Sequence, residues 1–338
     1  MGDEDHHADI HNPIQSARTD PYEFLQIVYN PTHDTLTRRM RLPCSTTPEN
    51  DNPTLPFSAK DVPLNPNHKT WLRLYKPTTA PPPLHKLPLI VYFHGGGFIL
   101  CSASDSMCHD LCARLAFELP AVVVSVEYRL APENRLPAAY EDAAEAIGWV
   151  REQAMDEEKG EEWLRQLADF SNCYLMGISA GGNIAYHAAL RSLPLDLKPV
   201  RIVGLILNQA YFGGVERSGS EMRLINCRMF PIEVNDLMWE LSLPRGVDRD
   251  HEYCNPTVGG EGRWEKIGWG GRCFVSGHGG DPLVDRQLAV ARMMEREGVK
   301  VKVWFEEGGF HGIEVFDPAK TSALMVQLKL FISSSMVA

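Results

Sequence analysis

The sequence predicts an α/β fold, a mostly parallel central sheet with helices on both faces, and three observations carry that prediction. Apolar runs of strand length alternate with stretches of helical periodicity along most of the 338 residues. Residues 87–93, LPLIVYF, are apolar without a polar alternation, as in a strand buried on both faces. The Gly-rich and Ser-containing segments able to do chemistry fall just after such strands, at the sheet edge where ligands bind in this class.

The elements follow in order. Residues 12–66 are rich in Pro, Asn and Thr around one apolar patch at 22–29, which predicts a helical arm followed by extended connections. Residues 71–75 alternate like a strand, and Pro81, Pro82 and Pro83 break the chain before the strand at 87–93. Met107, Leu111, Cys112, Leu115 and Leu119 form one helical stripe. Strands at 121–126, 174–178 and 201–207 then alternate with helices at 138–150 and 182–190. At 211–256 the rhythm stops, and Met, Trp, Leu and Arg recur in an isolated helical segment, expected to form a cap over the carboxyl edge of the sheet. It resumes with a strand at 272–276, a helix at 285–297, a strand at 299–305 and a helix at 321–332. Gly259, Gly260, Gly262, Gly268, Gly270 and Gly271 lack the spacing of a dinucleotide fingerprint and are expected to form a loop.

Composition narrows the partners. Thirty-three Lys and Arg against 44 Asp and Glu give a net charge of −11, which repels nucleic acid and anionic lipid. No apolar stretch approaches the roughly 18 residues of a membrane span. Residues 1–11 are acidic and His-rich, unlike a signal peptide, and His6 stands where a myristoylation motif wants Ser or Thr. Eight cysteines without CxxC spacing read as reduced thiols, and the Asn-x-Thr sequons at Asn30, Asn52 and Asn255 all carry Pro in the middle. A cytoplasmic location is therefore expected. His6, His7 and His11 read as a solvated tail, no metal-ligand set is present, and no metal or cofactor is expected.

Three constellations remain. Residues 177–181, Gly-Ile-Ser-Ala-Gly, lie where a strand must turn sharply into a helix, and a Cβ at Gly177 or Gly181 would clash in such a turn around Ser179. His94, Gly95, Gly96 and Gly97 follow the buried strand directly, and bare glycine amides can approach an oxygen that becomes negative during reaction. A serine hydroxyl needs a neutral imidazole to take its proton and a carboxylate to fix the imidazole's tautomer. Asp281 and His311 each follow a later strand in the right chain order, and the base is expected to titrate near the usual 6.5 or so. Asp285 reads instead as a helix N-terminal residue, His278 precedes the acid, and His187 reads as a core histidine.

Together, residues 94–97, Tyr128 to Pro132 in YRLAP, residues 177–181, Asp281, Pro282, Leu283 and His311 resemble the hormone-sensitive-lipase group of α/β-hydrolases. Residues 137–142 and 281–287, with the N-terminal arm, narrow the resemblance to the plant carboxylesterases related to the gibberellin receptor, over about residues 15–335. The resemblance implies an α/β-hydrolase catalytic domain over 67–338, a cap insertion at about 211–256 and an arm, 1–66, contributing to the cap. It implies Ser179 as nucleophile, His311 as base and then acid, Asp281 as orienting carboxylate, and Gly96, Gly97 and Ala180 as oxyanion donors, with His94 and Gly95 ordering that loop. The implied activity is hydrolysis of small-molecule esters with short to medium acyl groups through an acyl-enzyme, open to covalent inhibition by organophosphates and needing no cofactor. A gibberellin-type receptor differs by an aliphatic residue in place of His311, and a related lyase by an altered Gly loop; neither departure occurs. Gly279 and Gly280 are the less typical feature, expected to loosen the acid loop. Tyr211, Phe212, Met222, Met229, Phe230, Met238 and Trp239, helped by Phe24, are expected to roof the site unless they are simply core.

Overall fold

The computed structural model describes residues 20–47, 54–79, 86–259 and 262–334. The His-rich tail, the Asn52 sequon and the triple proline lie outside them. In chain order the elements are α1 (Pro21–Phe24), β1 (Ile27–Asn30), β2 (Thr35–Arg38), β3 (Phe57–Asn65), β4 (Thr70–Pro77), β5 (Leu87–Phe93), α2 (Ser106–Glu118), β6 (Val122–Glu127), α3 (Ala138–Met155) and α4 (Glu162–Leu167). There follow β7 (Ala168–Ile178), α5 (Ala180–Ser192), β8 (Ile202–Asn208), α6 (Gly219–Arg223), α7 (Ile232–Ser242), α8 (Arg263–Ile267), β9 (Arg272–His278), α9 (Val284–Arg296), β10 (Lys300–Glu306) and α10 (Pro318–Ser333).

Eight strands make one sheet in the order β10-β9-β8-β7-β5-β6-β4-β3, parallel from β10 to β6, with β4 and β3 antiparallel at one edge. All seven residues of β5 are buried, because neighbours flank it on both sides and helices cover both faces. Leu89, Val91 and Phe93 enter the core shared with α3 and α5, while Ile90 and Tyr92 enter the core shared with α2 and α10. Each such side chain contributes about 1.5–3 kcal/mol of burial. The predicted α/β sheet is thus the observed one, and its carboxyl edge carries residues 94–97, Ser179, Asp281 and His311.

The sequence misled at the periphery. Residues 57–65 were expected to be connection but pair with β4 as the sheet's edge strand, so the sheet begins before residue 67. Their polar residues and Pro63, tolerated only where a strand has a free side, hide the strand. The patch at 22–29 forms only one turn of helix, capped by the Asp20 carboxylate on the Tyr22 amide at 2.8 Å, before the β1–β2 hairpin. Within the glycine-rich stretch, α8 forms between Gly262 and Gly268, both left-handed, so those glycines bound a helix rather than a loop. In the expected cap, α6 and α7 form, and α1 of the arm packs against α7. All eight cysteines are unpaired, and among the described residues no helix is long and apolar enough to cross a membrane.

Candidate active site

Ser179 sits between the last residue of β7 and the first of α5 at φ 55°, ψ −121°, a conformation that costs a non-glycine residue about 1–3 kcal/mol. The neighbours enforce it. Its amide donates to the Asn208 carbonyl at 3.0 Å, and its carbonyl accepts from the Gly182 amide at 3.0 Å and the Tyr211 amide at 2.9 Å. A Cβ at position 177 would lie 2.0 Å from the Gly181 carbonyl oxygen, and one at 181 would lie 1.9 Å from that of Phe93. Only glycine fits either position, as the turn requires.

His311 follows β10 and Asp281 follows β9. The His311 Nε2 is 2.9 Å from Ser179 Oγ, and its Nδ1 donates to Asp281 Oδ2 at 2.9 Å. Asp281 is fully buried, and its oxygens also accept from the Leu283 amide and from Gln287 Nε2, both at 2.9 Å. Gln287 thus supports the acid, and its place one turn into α9 is the signal the sequence carries for it. Burial pulls the His311 imidazole down, but the Asp281 charge and hydrogen bond outweigh it, leaving the group above its usual 6.5 rather than at it. The ring of Phe230 stacks on His311 with centroids 4.7 Å apart.

The pair Gly279 and Gly280 does not loosen the acid loop. Their amides donate to the Glu306 and Gly308 carbonyls at 2.9 and 3.0 Å, and a Cβ at 280 would meet the Gly309 oxygen at 2.0 Å. The missing side chain lets the acid and histidine loops lie against each other.

The Gly-rich loop is braced from beneath. Buried His94 stacks on Tyr128 with centroids 4.2 Å apart and donates from Nδ1 to the Gly95 carbonyl at 2.8 Å. The Tyr128 hydroxyl donates to the His94 carbonyl at 2.9 Å. Burial pushes His94 down to about 4, so it is neutral at physiological pH. Gly96 at φ 106° could not carry a side chain, since its Cβ would fall 2.2 Å from the Leu100 carbonyl oxygen. A Cβ on Gly95 would touch that of Ser179 at 3.3 Å, so this loop lies directly against the serine. Among the described residues the Gly96, Gly97 and Ala180 amides donate to no protein acceptor, which leaves them available to an oxygen arriving at Ser179.

The expected roof divides. Phe230 lies on His311, and Met238 lies so close to Gly97 that a Cβ there would be 2.3 Å from its sulfur. Tyr211, Phe212 and Trp239 are buried core, Tyr211 stacking on Trp239 at 4.4 Å. Met222, Met229 and Phe24 are exposed. The rival candidates are engaged elsewhere: Asp285 accepts from the Ser220 amide at 2.6 Å, His278 lies 3.2 Å from Glu314, and His187 stacks on Tyr140. His68, Asp142 and Glu145 approach within 4.8 Å of one another, but Arg129 already neutralises Asp142 at 2.7 Å.

A strained serine between a parallel strand and its helix, facing a histidine and a buried carboxylate on later loops, is the arrangement of an α/β hydrolase. The sequence profile of the α/β hydrolase fold matches residues 90–315, and the chain belongs to that family. Within it the chain belongs to the plant carboxylesterases: it is 49% identical over 319 residues to a 3-O-acetylpapaveroxine carboxylesterase of Papaver somniferum, across 93% of this chain and 97% of that one. It is also 39% identical over 229 residues to a gibberellin receptor of Oryza sativa subsp. japonica, across 67% of this chain and 60% of the receptor. An esterase of Pyrobaculum calidifontis has the same fold, with a TM-score of 0.69 at 26% identity over 83% of this chain and 86% of that one.

Proposed function

We propose that this protein is a serine carboxylesterase acting on small-molecule esters with short to medium acyl groups. Membership in the plant carboxylesterases makes it a carboxylic ester hydrolase, and the finer reading rests on one observation, the unbroken line Ser179 Oγ, His311, Asp281 with 2.9 Å at each step. Neutral His311 takes the Ser179 proton as Oγ attacks the ester carbonyl, and the oxyanion is held by the Gly96, Gly97 and Ala180 amides. Each such donor is worth about 2.7–4 kcal/mol in the transition state. Imidazolium His311, stabilised by Asp281, gives its proton to the leaving alcohol. A water deprotonated by His311 then attacks the acyl-enzyme, and the acid leaves with Ser179 restored.

Residues 211–256 act as the cap, α1 of the arm steadies it, and Phe230 and Met238 bound the acyl site. The tight approach of Met238 to Gly97 supports a preference for short chains. The unpaired thiols support a cytoplasmic location.

A panel of nitrophenyl esters of graded acyl length tests this reading. Multiple turnovers are expected, with kcat/KM falling as the chain lengthens. The similarity to the rice receptor supplies the rival: tight binding of a gibberellin-like acid with no ester hydrolysed would replace the esterase by a receptor.

A further inference from the structure

Beneath the His311 turn runs a line of buried polar side chains that the hydrolytic steps do not use. Gln209, just past β8 and at φ 46°, accepts from the Gly312 amide at 2.6 Å through Oε1 and donates through Nε2 to the Glu314 carboxylate. Glu314, on the 3-10 turn Ile313–Val315, is buried, and its second oxygen lies 3.2 Å from Nε2 of buried His278. His278 Nδ1 faces Glu306 at 3.8 Å, and Glu306 pairs with Lys320 at 3.1 Å. Asp110 and Arg114 of α2 line the same cavity of about 200 Å³ as Glu314, and His311 and Asp281 lie on the side of the serine. Among the described residues no Lys or Arg pairs with Glu314. A buried carboxylate served only by a glutamine and a histidine is costly, and an apolar residue would pack the position better.

We propose that Glu314, tethered by Gln209, is a positioning residue for His311: the tether fixes the turn that carries the imidazole, and the carboxylate's charge favours the imidazolium formed when Ser179 loses its proton. The inference rests on the reading of His311 as the base. The electrostatics agree in sign, since burial lowers the His311 proton affinity while Asp281 first and then Glu314 raise it.

Glu314→Gln keeps the shape and removes the charge, whereas Gln209→Ala removes the tether and keeps the charge. The His311 imidazole is titrated by NMR in a Ser179→Ala background, which needs no turnover. Glu314→Gln should lower its midpoint by about half a unit or more. With Ser179 present, the acid limb of kcat/KM should move to lower pH by the same amount, because the base must be neutral to act. Gln209→Ala should lower kcat about tenfold, with KM held within about twofold and the midpoint unmoved, the pattern of lost alignment. Should Glu314→Gln not fold, Glu314→Met gives the same titration reading. A midpoint unchanged without the Glu314 charge overturns the proposal. Failure of the wild type to hydrolyse any ester would overturn the esterase reading alone, and the titration would still decide whether Glu314 acts on His311.

Discussion

Replacing His311 by Val is expected to give a folded protein with kcat on simple esters lower by about 10⁴ or more. The side chain is only 10% exposed and already has apolar Phe230 stacked on it, so a smaller apolar residue is tolerated there. What disappears is chemistry. In the mechanism proposed above, loss of the imidazole leaves nothing to accept the Ser179 proton, to protonate the leaving alcohol or to activate the deacylating water. The serine turn is held by backbone hydrogen bonds and the Gly loop is braced by His94 and Tyr128, none of which involve His311, so a product analogue should still bind. Steady-state kinetics with a short-chain nitrophenyl ester, beside equilibrium binding of the corresponding acid, measures both. Retained turnover would remove His311 from the mechanism.

Asp281→Asn should cost a similar factor, about 10⁴ in kcat, with little change in fold. Asp281 Oδ2 accepts from both His311 Nδ1 and Gln287 Nε2, while Oδ1 accepts from the Leu283 amide. An asparagine has one acceptor oxygen for these three donors. If it keeps the Leu283 bond, its amide group points at His311 Nδ1, and the ring must take the tautomer whose Nε2 carries hydrogen and cannot accept from Ser179. Asp285→Asn is the control: that carboxylate accepts from the Ser220 amide and ties α6 to α9, a role an amide oxygen can fill, so kcat should stay within about twofold. If the two variants exchange behaviours, the carboxylate has been misassigned.

The parts of the site legible in sequence are those where backbone geometry permits only one residue type or where chain order is diagnostic. Gly177 and Gly181 were readable because a Cβ at either strikes a carbonyl oxygen, and β5 because burial on both faces leaves no polar alternation. Asp281 and His311 were readable from their order after strands. What stayed hidden depends on contacts between distant segments. Gln209 and Glu314 carry no spacing signal, since their partners are set by how the β8, β9 and β10 ends come together, and Gln287 has only its place one turn into α9, six residues after Asp281. Gly280 read as a source of looseness because its neighbour, the Gly309 carbonyl, belongs to another loop. The edge strand β3 was hidden by the polar and proline residues that a free edge admits.

The most direct test of the central claim is covalent. An organophosphate reacts with a serine only when a base activates it and an oxyanion site stabilises the addition, and the product does not readily leave. Intact-protein and peptide mass spectrometry after treatment should show one phosphoryl adduct, carried by Ser179, with loss of esterase activity in proportion to labelling. An adduct on a different serine with Ser179 unmodified, or full activity after complete labelling of Ser179, would contradict the account.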